Sequence, residues 1–187
     1  MIVASTDEAL VPIIQRHLSS HGIKNRFAGG KPVLESPAAL FLQSVSQLLS
    51  TKMFSAYAAL VRHPDIAVLL DMQEETIKNL DTYSMELVPE YVNTTNWFVP
   101  NRKIRGIDSL VTLHKKTFDL LDTCITLQEN RADLATCSNA IRSLLLKVYG
   151  DETLDRKDPK FVSLQKLFGV IDRFDVLPSS VSSNLGF

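Results

Sequence analysis

The first fifty residues alternate between short apolar runs and amphipathic segments. Ile2-Val3-Ala4 is short, apolar and partly β-branched, which is typical of a buried strand. From Asp7 to Ser20 apolar residues recur at three- and four-residue spacing, which predicts an amphipathic helix ending at His21-Gly22. Ile23 to Ala28 predicts a second strand. Residues 1–50 are therefore expected to form a small α/β segment with two short strands.

A glycine turn and a proline-led helix follow the second predicted strand. Gly29 and Gly30 permit positive φ, and Pro32 prevents a strand from continuing. Ser36-Pro37 places a cap residue directly before a proline at the first helical position. The apolar stripe of that helix is formed by Leu40, Phe41, Val45, Leu48 and Leu49. The chain is thus expected to change from strand to helix at this turn.

From Phe54 onward the hydrophobic pattern is almost wholly helical. Helices are predicted over Ser55–Val61, Pro64–Leu70, Glu74–Val88, Asp108–Leu127, Ala132–Val148 and Pro159–Phe174. Pro89–Pro100 is predicted to be a loop, and the Ser-rich end, 177–187, a poorly ordered tail. Helices of this length joined by short polar links are typical of a bundle. The expected fold is mainly α, with a helical subdomain over residues 51–176.

The predicted strands are too few to complete a sheet. A strand buried on both faces needs neighbouring strands and covering helices, and the remaining residues offer almost no further strand pattern. The chain is therefore expected to be a piece of a larger protein that supplies the missing sheet partners.

Five segments of the first seventy residues carry a resemblance to a known family. They are Val3–Leu18, Gly22-Ile23, Phe27–Pro37 with its Gly-Gly-Lys-Pro turn, Leu48-Leu49 and Phe54–Pro64. Together they resemble the second motor lobe of superfamily I DNA helicases of the UvrD type, and most of all the AddB and RecC subunits of helicase-nuclease complexes. The resemblance implies a motor-lobe fragment that leads into an inserted helical subdomain. It also implies a role in double-strand break processing, with DNA and a second helicase-nuclease subunit as partners.

The chain departs from active motors of this type just after the first predicted strand. Active motors carry an arginine there that reaches the γ-phosphate of ATP, whereas this chain has Ser5-Thr6-Asp7-Glu8. The sequence has no Gly-x-x-x-x-Gly-Lys-Ser/Thr loop, and Gly29-Gly30-Lys31-Pro32 lacks that spacing. The resemblance therefore implies an inactivated helicase. No cofactor is expected in this chain, and any ATP or Mg²⁺ is expected to be used by the parent protein, an ATP-dependent helicase or exonuclease.

Composition is that of an ordinary folded domain. The chain has 187 residues, is 45% hydrophobic and carries a net charge of −1, so it can bury a core but has no general attraction to nucleic acid or membrane. Cys124 and Cys137 are too far apart for a Cys-x-x-Cys metal site. No secretory segment or bilayer-spanning run is evident. A cytoplasmic setting without a membrane partner is expected.

The densest basic run lies beside two aromatic residues. Arg102, Lys103 and Arg105 follow Trp97 and Phe98. Such an arrangement suits a site that grips a phosphate backbone while an aromatic ring stacks on a base. A solvated loop with a buried tryptophan explains the same residues, so both interpretations stay open.

A second small basic group surrounds the second predicted strand and the glycine turn. Lys24, Arg26 and Lys31 form this group. They are candidate DNA contacts on the same lobe. Charge that protects an edge strand from aggregation explains them equally well.

No catalytic constellation is evident in the sequence. Asp155-Arg156-Lys157 contains an acid-x-Lys triplet, but it falls in a polar linker, whereas a nuclease site needs it on a strand. The four histidines are scattered, and no serine lies in a Gly-x-Ser-x-Gly turn. Asp7-Glu8 is the sole candidate for an enzyme site assembled from scattered residues. The main alternative to the helicase interpretation is a helical protein–protein interaction module without DNA binding.

Overall fold

The described part of the chain is a helical structure. A computed structural model describes residues 10–25, 33–95, 97, 105–130, 132–150 and 159–175. Within these ranges there are eight α-helices and no β-strand, so the prediction of a mainly α fold is confirmed. The helices are α1 (Val11–Ser20), α2 (Pro37–Thr51), α3 (Phe54–Val61), α4 (Pro64–Leu69), α5 (Glu74–Leu87), α6 (Ile107–Glu129), α7 (Leu134–Tyr149) and α8 (Pro159–Asp175). Contacts divide the chain into two compact units, Met1–Pro32 and Val33–Phe187.

Helix α1 of the first unit ends as the sequence predicts. Gly22 has a φ of 70°, a conformation that glycine adopts without steric cost. Its N–H donates to the Ser19 carbonyl at 3.0 Å, and the Ile23 N–H donates to the Leu18 carbonyl at 2.9 Å. These two bonds make a Schellman motif, which satisfies carbonyls that the helix end leaves open.

The described part of α1 begins later than the predicted start at Asp7. Its first residue is Val11, and Pro12 lies in its first turn. Proline is tolerated there because the first N–H groups of a helix have no intrahelical acceptor, whereas an interior proline would remove a hydrogen bond. Residues 7–9 lie outside the described residues.

The second predicted strand, Ile23–Ala28, is not present in its described part, Ile23–Asn25. The Ile23 N–H is already used to cap α1, and Asn25 Nδ2 donates to Ser19 Oγ at 3.1 Å. These residues therefore fold back on the end of the helix, and the strand prediction is wrong for them. The other parts of the predicted α/β segment lie outside the described residues: Ile2–Ala4, Arg26–Ala28 and the turn residues Gly29, Gly30 and Pro32.

The second unit begins with the predicted cap. One turn of 3-10 helix, Val33–Glu35, leads to Ser36, whose hydroxyl accepts a hydrogen bond from the Ala39 N–H at 3.3 Å. Pro37 then occupies the first helical position of α2. The cap and the proline agree with the prediction, because both act through local backbone geometry that the sequence specifies directly.

The helices of the second unit form a closed bundle. Helix α2 packs on α3, and α5, α6 and α7 each pack on the next helix in the chain. Helix α8, the last described helix, packs on α2, the first α-helix of this unit, so both helices contribute to the same core. The largest fully buried side chains are Phe41, Leu48, Tyr57, Leu60, Ile66, Leu80, Tyr83, Leu110, Leu121 and Leu145.

The segment after α5, predicted to be a loop, is tied to the start of α3 by one antiparallel β-bridge. Met53 pairs with Tyr91, and we call this pair the 53/91 bridge. The Phe54 N–H donates to the Glu90 carbonyl and the Val92 N–H to the Lys52 carbonyl, each at 2.9 Å. Phe54 and Val92 face the core, while Met53 and Tyr91 face solvent.

Candidate functional site

The structure describes two of the six predicted DNA-binding residues. Lys24 lies in the first unit and is exposed, and Arg105 lies in the second. The Arg105 guanidinium is 3.4 Å from the Glu75 carboxylate, and both side chains are largely in solvent. The remaining four fall outside the described residues: Arg26, Lys31, Arg102 and Lys103. Each unit therefore contributes one described residue of the predicted site, and the DNA site stays a prediction.

Trp97, which the sequence places beside the basic run, is a core residue. Only 9% of it is exposed, and its ring lies 4.8 Å from the Tyr83 ring and 5.5 Å from the His114 ring. It belongs to an aromatic cluster formed by Phe54, Tyr57, Tyr83, Trp97, His114 and Phe118. The alternative with a buried tryptophan is thus correct for this residue, and Phe98 lies outside the described residues.

The polar atoms of this aromatic cluster differ in their partners: the His114 ring is hydrogen-bonded, whereas the Tyr57 hydroxyl and the Trp97 Nε1 are buried without a hydrogen-bond partner among the described residues. The His114 Nε2 is 2.6 Å from the Asn93 carbonyl, so the ring donates there and fixes the segment after α5 to α6. Burial lowers the pKa of His114, although this hydrogen bond opposes the shift. Burial also raises the pKa of the Tyr57 phenol, with the Thr117 hydroxyl opposing. Both groups are therefore held neutral around pH 7.

A second polar group joins distant helices at the start of α4. The Asp65 carboxylate accepts a hydrogen bond from the Tyr149 hydroxyl at 2.8 Å and one from the Lys160 ammonium at 2.7 Å. His63 Nδ1 is 4.0 Å from the same carboxylate, and its Nε2 is 3.1 Å from the Pro37 carbonyl. We call His63, Asp65, Tyr149 and Lys160 the Asp65 node. It connects the start of α2 with α4, α7 and α8.

The charges of the Asp65 node are satisfied internally. Burial alone would raise the pKa of Asp65, but the hydrogen bonds from Lys160 and Tyr149 outweigh it and hold that pKa below its usual value. Burial and the neighbouring carboxylate raise the pKa of Tyr149, which therefore stays protonated. A carbonyl can only accept, so His63 Nε2 carries its proton toward Pro37. The arrangement fixes helices, and within the described residues the buried His63 Nδ1 is left without a hydrogen-bond partner.

Sequence reasoning did not find the Asp65 node. Asp65 is separated from Tyr149 by 84 positions and from Lys160 by 95. No local spacing connects residues so far apart. The one local signal is the pair His63-Pro64, which marks the start of α4 and lies in a segment that carries the resemblance.

A pocket of about 210 Å³ lies between the end of α2, residues 92–94 and α6. Its walls are mainly apolar and include Leu48, Phe118 and Ile125, with Lys52 and Glu129 as its charged residues. It has no cluster of titratable groups, so the pocket offers space for an apolar group but no chemistry.

The described residues give little support for a metal site or a reactive cysteine. No three His, Cys, Asp or Glu side chains converge there in a way that could hold a metal ion. Cys124 and Cys137 are free and partly buried, and burial raises the pKa of both thiols, which makes them poor nucleophiles. No described helix combines the length and the apolar character needed to cross a bilayer.

The fold and these polar groups define a helical-bundle protein in which Asp65, Tyr149 and Lys160 join distant helices. Comparison of the chain with protein-family models, curated proteins and solved structures gave no match.

Proposed function

We propose that this chain is a non-catalytic helical part of an AddB- or RecC-like helicase-nuclease subunit, which holds DNA during double-strand break processing in the cytoplasm. The proposal rests on the residue resemblance over the first seventy positions. One contact supports it above all: His63 Nε2 is 3.1 Å from the Pro37 carbonyl. This contact joins the segment Phe27–Pro37 directly to the segment Phe54–Pro64. Two segments that carry the resemblance thus meet where the helical bundle begins.

The first unit is proposed to complete an α/β lobe with strands from the rest of the parent protein. Helix α1 has no buried residue, and the apolar side chains of Leu10, at its N-cap, and Ile13 are 46% and 62% exposed. An amphipathic helix is stabilised mainly by burying its apolar face. This exposed face supports a covering sheet and a second helicase-nuclease subunit as neighbours in the parent.

DNA binding is tested by the salt dependence of the affinity. Labelled single-stranded and duplex DNA are titrated with the chain at several salt concentrations, and anisotropy is measured. Each phosphate contact contributes about 0.9 to the slope of log K against log salt for duplex and about 0.7 for single strands. We expect the triple variant R102A/K103A/R105A to bind more weakly and to reduce that slope by about 2 to 3. The exposed pair between Arg105 and Glu75 is weak enough to be replaced by a phosphate.

A matched control removes the same charge elsewhere. Lys115, Lys147 and Lys166 are exposed, so K115A/K147A/K166A also removes three positive charges. We expect this control to leave the slope nearly unchanged. Equal effects of the two triples, or an unchanged slope in the first, would contradict the predicted patch. No detectable binding of either DNA would contradict the DNA-holding role.

A protein–protein interaction module without DNA binding is the second candidate function. The observation that favours it is the exposure of large apolar side chains on both sides of the 53/91 bridge, where Met53 is 41% and Tyr91 61% exposed. Stable binding of a protein in the absence of DNA affinity would favour this function over the first.

A further inference from the structure

Four large apolar side chains are exposed around the end of α5 and the 53/91 bridge. They are Met53, Met85, Val88 and Tyr91, and we call them the apolar patch. Met85 and Val88 are 81% and 79% exposed. Three-residue steps separate Met85, Val88 and Tyr91, and three residues of chain span at most about 11 Å. Tyr91 in turn faces Met53 across the bridge, so the four residues lie near one another along the chain and across the bridge.

Backbone hydrogen bonds fix this exposure. The two bonds that flank Met53 and Tyr91 make them a non-hydrogen-bonded antiparallel pair, in which side chains lie close together on one face. The Val88 N–H donates to the Ser84 carbonyl at 2.9 Å, and Val88 has a φ of 45° and a ψ of 54°. Glycine usually occupies this position after a helix, because a β-branched side chain is disfavoured there. The valine is thus held outward by an ordered but unfavourable backbone conformation.

Acidic residues accompany the apolar patch. Between Lys78 and Arg102 the chain carries Asp81, Glu86 and Glu90 and no lysine or arginine. Asp81 pairs with the Arg62 guanidinium. Glu86 directly follows Met85 and Glu90 directly precedes Tyr91 in the sequence. The Glu90 carboxylate also raises the pKa of the Tyr91 phenol through a hydrogen bond. Two carboxylates, Glu86 and Glu90, therefore accompany the apolar patch in sequence, against one adjoining basic residue, the exposed Lys52 that directly precedes Met53.

We propose that the apolar patch docks an amphipathic, basic helix of a partner protein. Such a helix presents an apolar stripe flanked by lysine or arginine, and it is therefore complementary to apolar residues interleaved with carboxylates. DNA is disfavoured as an occupant because it carries the same sign of charge as Glu86 and Glu90. A second copy of this chain would set the same two acids against themselves. The inference goes beyond the proposed function and does not depend on DNA binding.

Two synthetic peptides test the inference directly. The first is a labelled helix of about 18 residues, long enough to be helical in water, with leucine on one face and lysine on the other. The second replaces every lysine by glutamate. We expect the full chain to bind the lysine peptide in anisotropy titrations, more weakly as salt is added, and the glutamate peptide about tenfold more weakly or not at all.

Variants locate the binding on the apolar patch. We expect M85S/V88S/Y91S to weaken binding of the lysine peptide by about tenfold, a typical effect of removing central apolar contacts. The matched control L34S/V68S/L146S removes three exposed large apolar side chains elsewhere, and we expect less than about a twofold change because they lie outside the contact. The charge-reversing variant E86K/E90K is expected to weaken the lysine peptide and strengthen the glutamate peptide.

Several results would overturn the inference. They are absence of binding by the lysine peptide, equal losses in the two serine triples, and self-association of the wild-type chain that M85S/V88S/Y91S abolishes. Circular dichroism verifies that each variant is folded. If the patch triple does not fold, the reversal of peptide preference by E86K/E90K decides the question alone.

Discussion

The conformation of Val88 allows a substitution whose effect reverses the usual one. Replacement of an exposed residue by glycine normally destabilises a protein, because glycine gains more chain freedom on unfolding. Val88 lies in the left-handed region, with φ 45° and ψ 54°, directly after α5. Glycine adopts this conformation without steric cost. We therefore expect Val88→Gly to stabilise the second unit.

The magnitude follows from three contributions. Relief of the left-handed conformation is worth about 1–2 kcal/mol for a residue with a Cβ. Added freedom of the unfolded chain opposes this by roughly 0.5–1 kcal/mol. Val88 is 79% exposed, so little packing is lost. The net effect is a stabilisation of about 0.5–1 kcal/mol. Val68 is equally exposed but helical, and Val68→Gly should destabilise by about 0.5 kcal/mol.

Urea denaturation of the three proteins measures these effects. The two glycine variants should differ by roughly 1–1.5 kcal/mol, or about 0.5 M in midpoint at typical slopes. Val88→Ala provides a second comparison, because it removes most of the side chain but keeps the Cβ that disfavours positive φ, and it should stabilise less than Val88→Gly. A Val88→Gly variant that is no more stable than Val68→Gly would refute the assigned conformation.

Two further substitutions test the interior of the bundle. Asp65→Asn should cost about 2 kcal/mol at pH 7, because it weakens charged hydrogen bonds, whereas the 64% exposed Asp172→Asn should cost under about 0.5 kcal/mol. The pKa of Asp65 is lowered in the folded protein, so the stability that its carboxylate contributes is fully present above the unfolded pKa and is lost as the pH falls through the folded pKa. Denaturation at pH 7 and at pH 3 should therefore show a smaller difference in stability between the wild type and Asp65→Asn at the lower pH. Gly106→Ala should destabilise by about 2 kcal/mol, because φ is 72° and the added Cβ would lie 2.0 Å from Asn79 Nδ2. In Gly169→Ala the added Cβ lies in open space on α8, so this variant should stabilise the protein by roughly 0.5–1 kcal/mol. Equal denaturation midpoints for the two glycine variants would contradict the packing described.

The sequence specifies the helices of this chain well because their signals are local. After residue 50 each predicted helix end agrees with the structure to within two residues. The Ser36 cap and the Gly22 terminus were predicted from single positions whose chemistry acts on the adjacent backbone. Helical periodicity and end signals therefore account for most of the described fold.

Other features depend on contacts that no local pattern encodes. Ile23–Asn25 has the composition of a strand start, but the capping of α1 uses the Ile23 N–H. The predicted helix Glu74–Val88 includes Val88, which in the structure has a positive φ and lies just after the end of α5. The Asp65 node unites residues from three distant segments, and no local spacing connects them. The predicted basic site lies mostly outside the described residues and stays a prediction.

The packing of α8 on α2 has a consequence for synthesis of the protein. Roughly a hundred residues separate these helices, and ribosomes add about 5–20 residues per second. For several seconds α2 therefore has α3 as its earliest packing partner. During this time Phe41 lacks its contact with Tyr149, whose ring centroid lies 6.3 Å from that of Phe41 in the folded protein. The nascent chain exposes an apolar helix face during this interval, so the bundle is most prone to aggregation and chaperone binding before α8, its last described helix, is made.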